Sequence, residues 1–210
     1  MFDWLRRRWA PRPPVSLEPL TPMQQYAQDF MAASAWSEAQ GLHVPPVQFI
    51  VNKDCVDWTV AEPVLQRLIG PYRDEEIERE LFAMNARLVP QLLEALGIPF
   101  RLTIGWFDIS GEIHHRHDQA QLKRLLEKDP SLDTSRGLDL HVWLTSPAFE
   151  VLDVCLPTIV AARTQDPNLA RGILYLSNQD PNPSVTYHPT TVGEEFLFRI
   201  GAVFGIGPNA

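Results

Sequence analysis

Cys55, His141 and Asp153 are the residues of this chain whose types suit nucleophilic chemistry. A thiolate that attacks an acyl group needs a base that also holds it as an ion pair, and that base needs an acceptor to fix its tautomer. His141 and Asp153 stand 12 residues apart on adjacent segments that read as a hairpin, where cross-strand facing lets an imidazole donate to a carboxylate. Direct facing requires paired positions to sum to 294, which pairs Thr145 with Phe149 across a three-residue loop. Cys55 lies beyond the end of a short strand and near a helix start, where backbone dipoles lower a thiol pKa. Gln48 or Asn52 is placed to add an oxyanion donor. Against this stands the plainer reading that a lone Cys is a small core residue and a lone strand His a satisfied structural one. Cys155, among Val154 and Leu156 and next to the Asp153 strand, is expected to stay protonated and slow.

Two further sets carry polar chemistry. Glu112, His114, His115, His117 and Asp118 bring three imidazoles and two carboxylates into seven residues, and neutral imidazole suits Zn²⁺. On an extended segment, however, His115 and His117 share a side while His114 points away, so the expectation is a solvated turn and no metal site. The stretch from Asn178 to Pro183, with His188 and Pro189, is rich in turn formers and reads as loops.

The elements that must position these residues follow from hydrophobic period and capping. Thr21 and Pro22 read as N-cap and first helical position, with Met23, Tyr26, Ala27, Phe30 and Met31 at helical spacing as far as Gly41. Val47 to Val51 reads as a buried strand, and Val60 to Ile69 as a second helix stopped at Gly70 and Pro71. Its start is open between a capping box at Thr59 to Glu62 and a longer helix capped by Asp54 or Asn52 and kinked at Pro63. Residues 74 to 96 form the clearest helix, acidic at its start, capped by Gly97 and kinked or split at Pro90. Phe100 to Phe107 and Leu138 to Thr145 alternate as strands. Gln119 to Lys128 reads as a helix, Phe149 to Val154 as a strand, and Pro157 to Arg163 as a helix. Gly172 to Ser177 and Ser184 to Tyr187 read as further strands, and Thr191 to Glu194 carries a capping-box pattern before a terminal helix. Helices mostly come first and strands later, which predicts an α+β fold with an antiparallel sheet.

The whole composition sets the outer bounds. With 210 residues, 45% of them hydrophobic, the chain can bury an ordinary core, and one domain over 21–210 after a Pro- and Arg-rich tail over 1–20 is expected. The longest apolar stretch, Phe196 to Gly207, is interrupted by Arg199 and glycines, so no transmembrane span is expected. A net charge of −8 argues against a nucleic-acid partner. Two cysteines exclude a disulfide scaffold or a four-thiolate zinc site, and the basic N-terminus lacks the apolar run of a secretory signal, so a cytoplasmic protein is expected.

The run Leu92-Leu-Glu-Ala-Leu-Gly-Ile-Pro-Phe-Arg-Leu-Thr-Ile-Gly-Trp106, followed by Leu140-His-Val-Trp-Leu144 and Phe149-Glu-Val-Leu-Asp153, resembles the bacterial transglutaminase-like family. The resemblance covers residues 88 to 158. It implies a transglutaminase-like, papain-like architecture and assigns His141 and Asp153 as second and third triad members. The family places its nucleophilic Cys at the start of the helix that ends in the Leu-Gly-Ile-Pro run. That position falls near Phe82, and no Cys occurs from 56 to 154. Two functions are therefore expected in competition. One is a cysteine-dependent enzyme acting on an amide or thioester of a peptide, protein or small acyl substrate, with Trp58, Trp106 and Trp143 contacting substrate and no cofactor. The other is a non-catalytic module of the same architecture that binds a protein or peptide. In the enzyme reading Cys55 alone reacts with iodoacetamide at pH 6 to 7, and His141→Ala abolishes the preference. Oligomeric state is left open.

Overall fold

The computed structural model describes residues 20–50, 53–127, 139–177, 180 and 183–203. Thr21 starts helix α1 (Pro22–Ala39): its hydroxyl accepts from the Gln24 N–H while the Thr21 N–H donates to the Gln24 side chain. Pro22 sits in the first turn, where a missing N–H costs nothing. The strand expected over Val47 to Val51 does not form in its described part, and residues 42–50 run as coil. Just before it the Pro45 and Pro46 carbonyls are taken by the Arg101 guanidinium, and within it the Ile50 N–H is given to the Pro147 carbonyl, in a loop and not in a strand. Val51 and Asn52 lie outside the described residues, so Asn52 receives no position.

Helix α2 (Trp58–Ile69) starts earlier than expected because Asp57 caps it, accepting from both the N–H and the hydroxyl of Thr59. Neither Thr59 nor Asp54 is the cap, and Cys55 lies in the coil that leads in. The 74 to 96 pattern divides into α3 (Asp74–Arg79) and α4 (Leu81–Leu96), breaking at Glu80 rather than at Pro90. Helix α4 continues through the exposed Pro90 because its buried stripe of Met84, Leu88 and Leu92 is packed on the sheet, and packing outweighs local propensity. It ends at Gly97, whose φ of 69° is the left-handed C-cap conformation.

Among the described residues six strands form one antiparallel sheet: β1 (Arg101–Ile109), β2 (Glu112–His114), β3 (His141–Thr145), β4 (Val151–Asp153), β5 (Leu174–Leu176) and β6 (Val185–Val192). The order is β2, β1, β3, β4, β5, with β6 along the remaining side of β1. Between strands stand α5 (Gln119–Leu126), capped by Asp118, and α6 (Leu156–Thr164). Among the described residues β6 is followed by a short α7 (Glu195–Arg199). The capping box expected at Thr191 does not form, because Thr191 is still in β6 and its hydroxyl bonds Ser37 on α1. The chain is thus α+β with an antiparallel sheet, and among the described residues no helix is long and apolar enough to cross a membrane.

Alternation along the strands divides the core in two. Leu102, Ile104, Val142, Leu144 and Leu152 face α2, α4 and α5. Phe107, Trp143, Val151, Leu176 and Tyr187 face α1. The β1 and β6 ladder shifts register between Ile104 and Gly105, where Ile104 pairs with Thr191 but Gly105 with Pro189. Thr190 is therefore the extra residue of a bulge at a proline that cannot donate. A Cβ on Gly105 would lie 2.1 Å from the His188 carbonyl oxygen and 2.6 Å from the Trp143 ring, so only glycine admits this approach.

Candidate functional site

The β3 and β4 ladder pairs Leu144 with Leu152 and Thr145 with Val151. The hairpin loop is thus Ser146 to Glu150, five residues instead of the expected three, and the register is offset by one pair on each strand. Because the offset preserves parity, Asp153 still shares a face with His141, one diagonal step away. His141 Nε2 donates to Asp153 Oδ2 at 2.6 Å, and the two side chains are 1% and 0% exposed. Tyr187 on β6 donates to the same oxygen at 2.7 Å. The N–H groups of Cys155 and Leu156, opening α6, both reach Asp153 Oδ1 at 2.9 Å. Burial raises the Asp153 pKa, but the neighbouring His141, the Leu156 N–H and the Tyr187 hydroxyl outweigh it and hold the carboxyl below its ordinary value. Burial and the adjacent Asp153 push the Tyr187 hydroxyl well up.

Cys55 belongs to a different network. Its thiol donates to Glu150 Oε2 at 3.0 Å, its N–H reaches the same oxygen at 3.2 Å, and the Val56 N–H donates to Oε1 at 3.0 Å. Ser146 Oγ donates to Oε2 at 2.5 Å and the Tyr175 hydroxyl to Oε1 at 2.7 Å. Five donors therefore converge on one carboxylate that is 1% exposed. Desolvation and the Glu150 carboxylate push the Cys55 thiol up to about 11, the reverse of the activation expected for a nucleophile.

The sheet separates the two networks. Tyr175 and Leu152, which pair across β4 and β5, lie on the α4 face, and Cys55 packs against that same core. His141 shares its face with Trp143, on the α1 side. Glu150 also stands at the loop end of the hairpin, about five strand residues from His141, on the order of 15 Å along β3. The expected Cys55, His141 and Asp153 triad is not assembled: His141 and Asp153 are together and Cys55 is on the other face. Phe82, near which the resemblance would put a nucleophile, lies in the first turn of α4, which packs on that other face as well.

The remaining expected residues divide similarly. Gln48 is exposed on the coil. Trp143 is wholly buried, its Nε1 donating to the Tyr26 hydroxyl at 2.8 Å, so it is core and not a substrate contact. Trp58 stacks on Tyr175 with ring centroids 4.9 Å apart, and Trp106 on His188 at 3.6 Å; both are half-buried. Cys155 is buried, and burial with the nearby Asp153 drives its pKa well up, while its sulfur accepts from Asn85 at 3.2 Å.

The histidines of the 114 to 117 turn take separate partners. His114 Nε2 lies 3.6 Å from Glu112, His115 Nδ1 donates to Asp139 at 2.7 Å, and His117 spans the His115 carbonyl and Thr190. Among the described residues no group of three or more His, Cys, Asp or Glu is arranged to hold a metal ion. The turn is less solvated than expected: the His115 and His114 side chains are each 18% exposed, and the His115 ring lies 5.7 Å from that of His141.

Sequence reasoning missed Glu150, Tyr175 and Tyr187. Glu150 gives one signal, a lone acid between Phe149 and Val151 in a strand-like run, where an acid enters the interior only with donors to meet it. Compared with family models, curated proteins and solved structures, the chain finds no match.

Proposed function

We propose that this chain is a non-catalytic module of transglutaminase-like architecture that binds a protein or peptide. One observation carries the reading: the half-buried Cys55 thiol is committed to Glu150 across the sheet from the buried pair of His141 and Asp153. The pair then serves as a core polar junction, tying β3, β4, β6 and the start of α6 to one carboxylate. The half-buried Trp106 and Trp58 offer the aromatic surface that peptides commonly dock on.

The competing proposal, acyl transfer or hydrolysis through Cys55, requires the thiol to leave Glu150 and find another base. Iodoacetamide labelling at pH 7 followed by mass spectrometry decides between them. The module reading expects slow modification of both cysteines, unchanged by His141→Ala, and no covalent adduct with peptide thioesters. Fast labelling of Cys55 that depends on His141, or an acyl adduct on its sulfur, overturns it in favour of the enzyme. The binding half is tested with a displayed library of random peptides. Enrichment that Trp106→Ala abolishes supports it, and no enrichment over a folded control domain counts against it.

A further inference from the structure

His117 stands where the β2 to α5 turn meets the bulge of β6, and its ring bridges two acceptors. Nδ1 lies 2.8 Å from the His115 carbonyl oxygen, which can only accept, so Nδ1 carries a proton. Nε2 lies 2.7 Å from Thr190 Oγ1. Thr190 has a single hydroxyl proton, and that proton is given to the Ile104 carbonyl at 3.0 Å. The Ile104 carbonyl stands beside the register shift, where Thr190 is the extra residue. With both of those protons assigned, the Nε2 contact requires a second ring proton.

We propose that His117 is a proton-gated latch between the β2 to α5 turn and the β6 bulge. As imidazolium it donates from both nitrogens and all three bonds coexist. As neutral imidazole it must either turn Thr190 away from Ile104, so that the hydroxyl donates to Nε2, or lose one of its own bonds. The charged and titratable neighbours are Asp118 at the cap of α5, Asp139 before β3, and His115 on its own turn; from β6 the ring faces Thr190. Burial is the larger influence and holds the His117 imidazole below its ordinary value, against the His115 carbonyl, Asp139 and Asp118, which favour the cation, so the latch closes on acidification. Closing it docks the start of α5 against the bulge, since Asp118, one residue on, holds the first turn of that helix.

The test is a ¹⁵N NMR titration of the imidazole nitrogens of the whole chain from pH 5 to 8, with Thr190→Val and Thr190→Ser. The latch predicts a doubly protonated His117 at the acid end, with the Nε2 proton slow to exchange. It predicts about tenfold lower proton affinity in Thr190→Val, the loss expected when a hydrogen bond to a charged group is removed, and near-parent affinity in Thr190→Ser. Amide exchange at Gln121 in the parent should quicken as His117 deprotonates. The proposal is overturned if His117 protonates with equal affinity in the parent and both variants, or if Gln121 exchange does not follow its titration.

Discussion

Glu150 is the side chain on which the chemistry of Cys55 turns. A carboxylate that accepts five hydrogen bonds is stable in the interior only while all its donors remain, because each donor left alone pays its own desolvation. Glu150→Gln replaces one acceptor oxygen with an amide that cannot meet hydroxyl and thiol donors equally. It should lower stability by about 2 to 4 kcal/mol in urea unfolding and raise the labelling rate of Cys55. In the parent, the folded pKa of Cys55 lies above its unfolded value of 9.0, so its contribution to stability is intact below pH 9 and is lost as pH rises toward 11. Labelling of the folded chain should then rise about tenfold per pH unit between 7 and 10. Asp153 has the opposite sign. Its folded pKa is depressed, so its contribution is present above the unfolded value and disappears as acid protonates the folded carboxylate. Asp153→Asn can still accept the two α6 amides but meets His141 and Tyr187 with an NH₂ group, and a loss of about 2 to 4 kcal/mol is expected, readable as a lower urea midpoint.

At the scale of elements, the point of greatest constraint is the close passage of β1 and β6. Gly105→Ala places a methyl carbon within 2.1 Å of the backbone oxygen of His188, a contact that a side-chain rotation cannot relieve. The variant should lose about 3 kcal/mol or more, or fail to accumulate as folded protein, in contrast to Asp57→Ala, which costs about 1 kcal/mol by removing the α2 cap. These elements also divide what the sequence reveals from what it conceals. The strands with Leu102, Ile104, Val142 and Leu144 alternate in a two-residue period and were legible, as was α4 from its apolar stripe. The direct opposition expected of His141 and Asp153 does not form, but their shared face depends only on parity and so holds in the observed register. The environment of Cys55 was not legible, because Glu150 comes from 95 residues away and no local period reports a contact of that span. The false strand at Val47 shows the same limit: its apolar residues resemble a buried strand, but the Ile50 N–H goes to the distant loop carbonyl of Pro147.

Across the whole molecule, the sheet keeps two polar networks apart while α1 seals one face and α2, α4 and α5 the other. At the 114 to 117 turn the imidazoles of His115 and His117 bond Asp139 and Thr190 separately. The thermal midpoint should therefore be the same with EDTA and with added zinc, and a chelator-dependent drop would restore the metal reading of that turn.

Trp143 turns the docking of α1 into an optical signal. Among the described tryptophans it alone is fully buried, whereas Trp36, Trp58 and Trp106 are half-buried. Its indole N–H is held by Tyr26 of α1, whose hydroxyl is in turn 2.5 Å from Thr145. Any excursion of α1 from the sheet must therefore open the indole to water, and its emission should move to longer wavelength before the rest of the fold gives way. In stepwise denaturant, a red shift that precedes the loss of far-ultraviolet circular dichroism would mark α1 as a separately opening lid on the sheet, while coincident transitions would make it inseparable from the core.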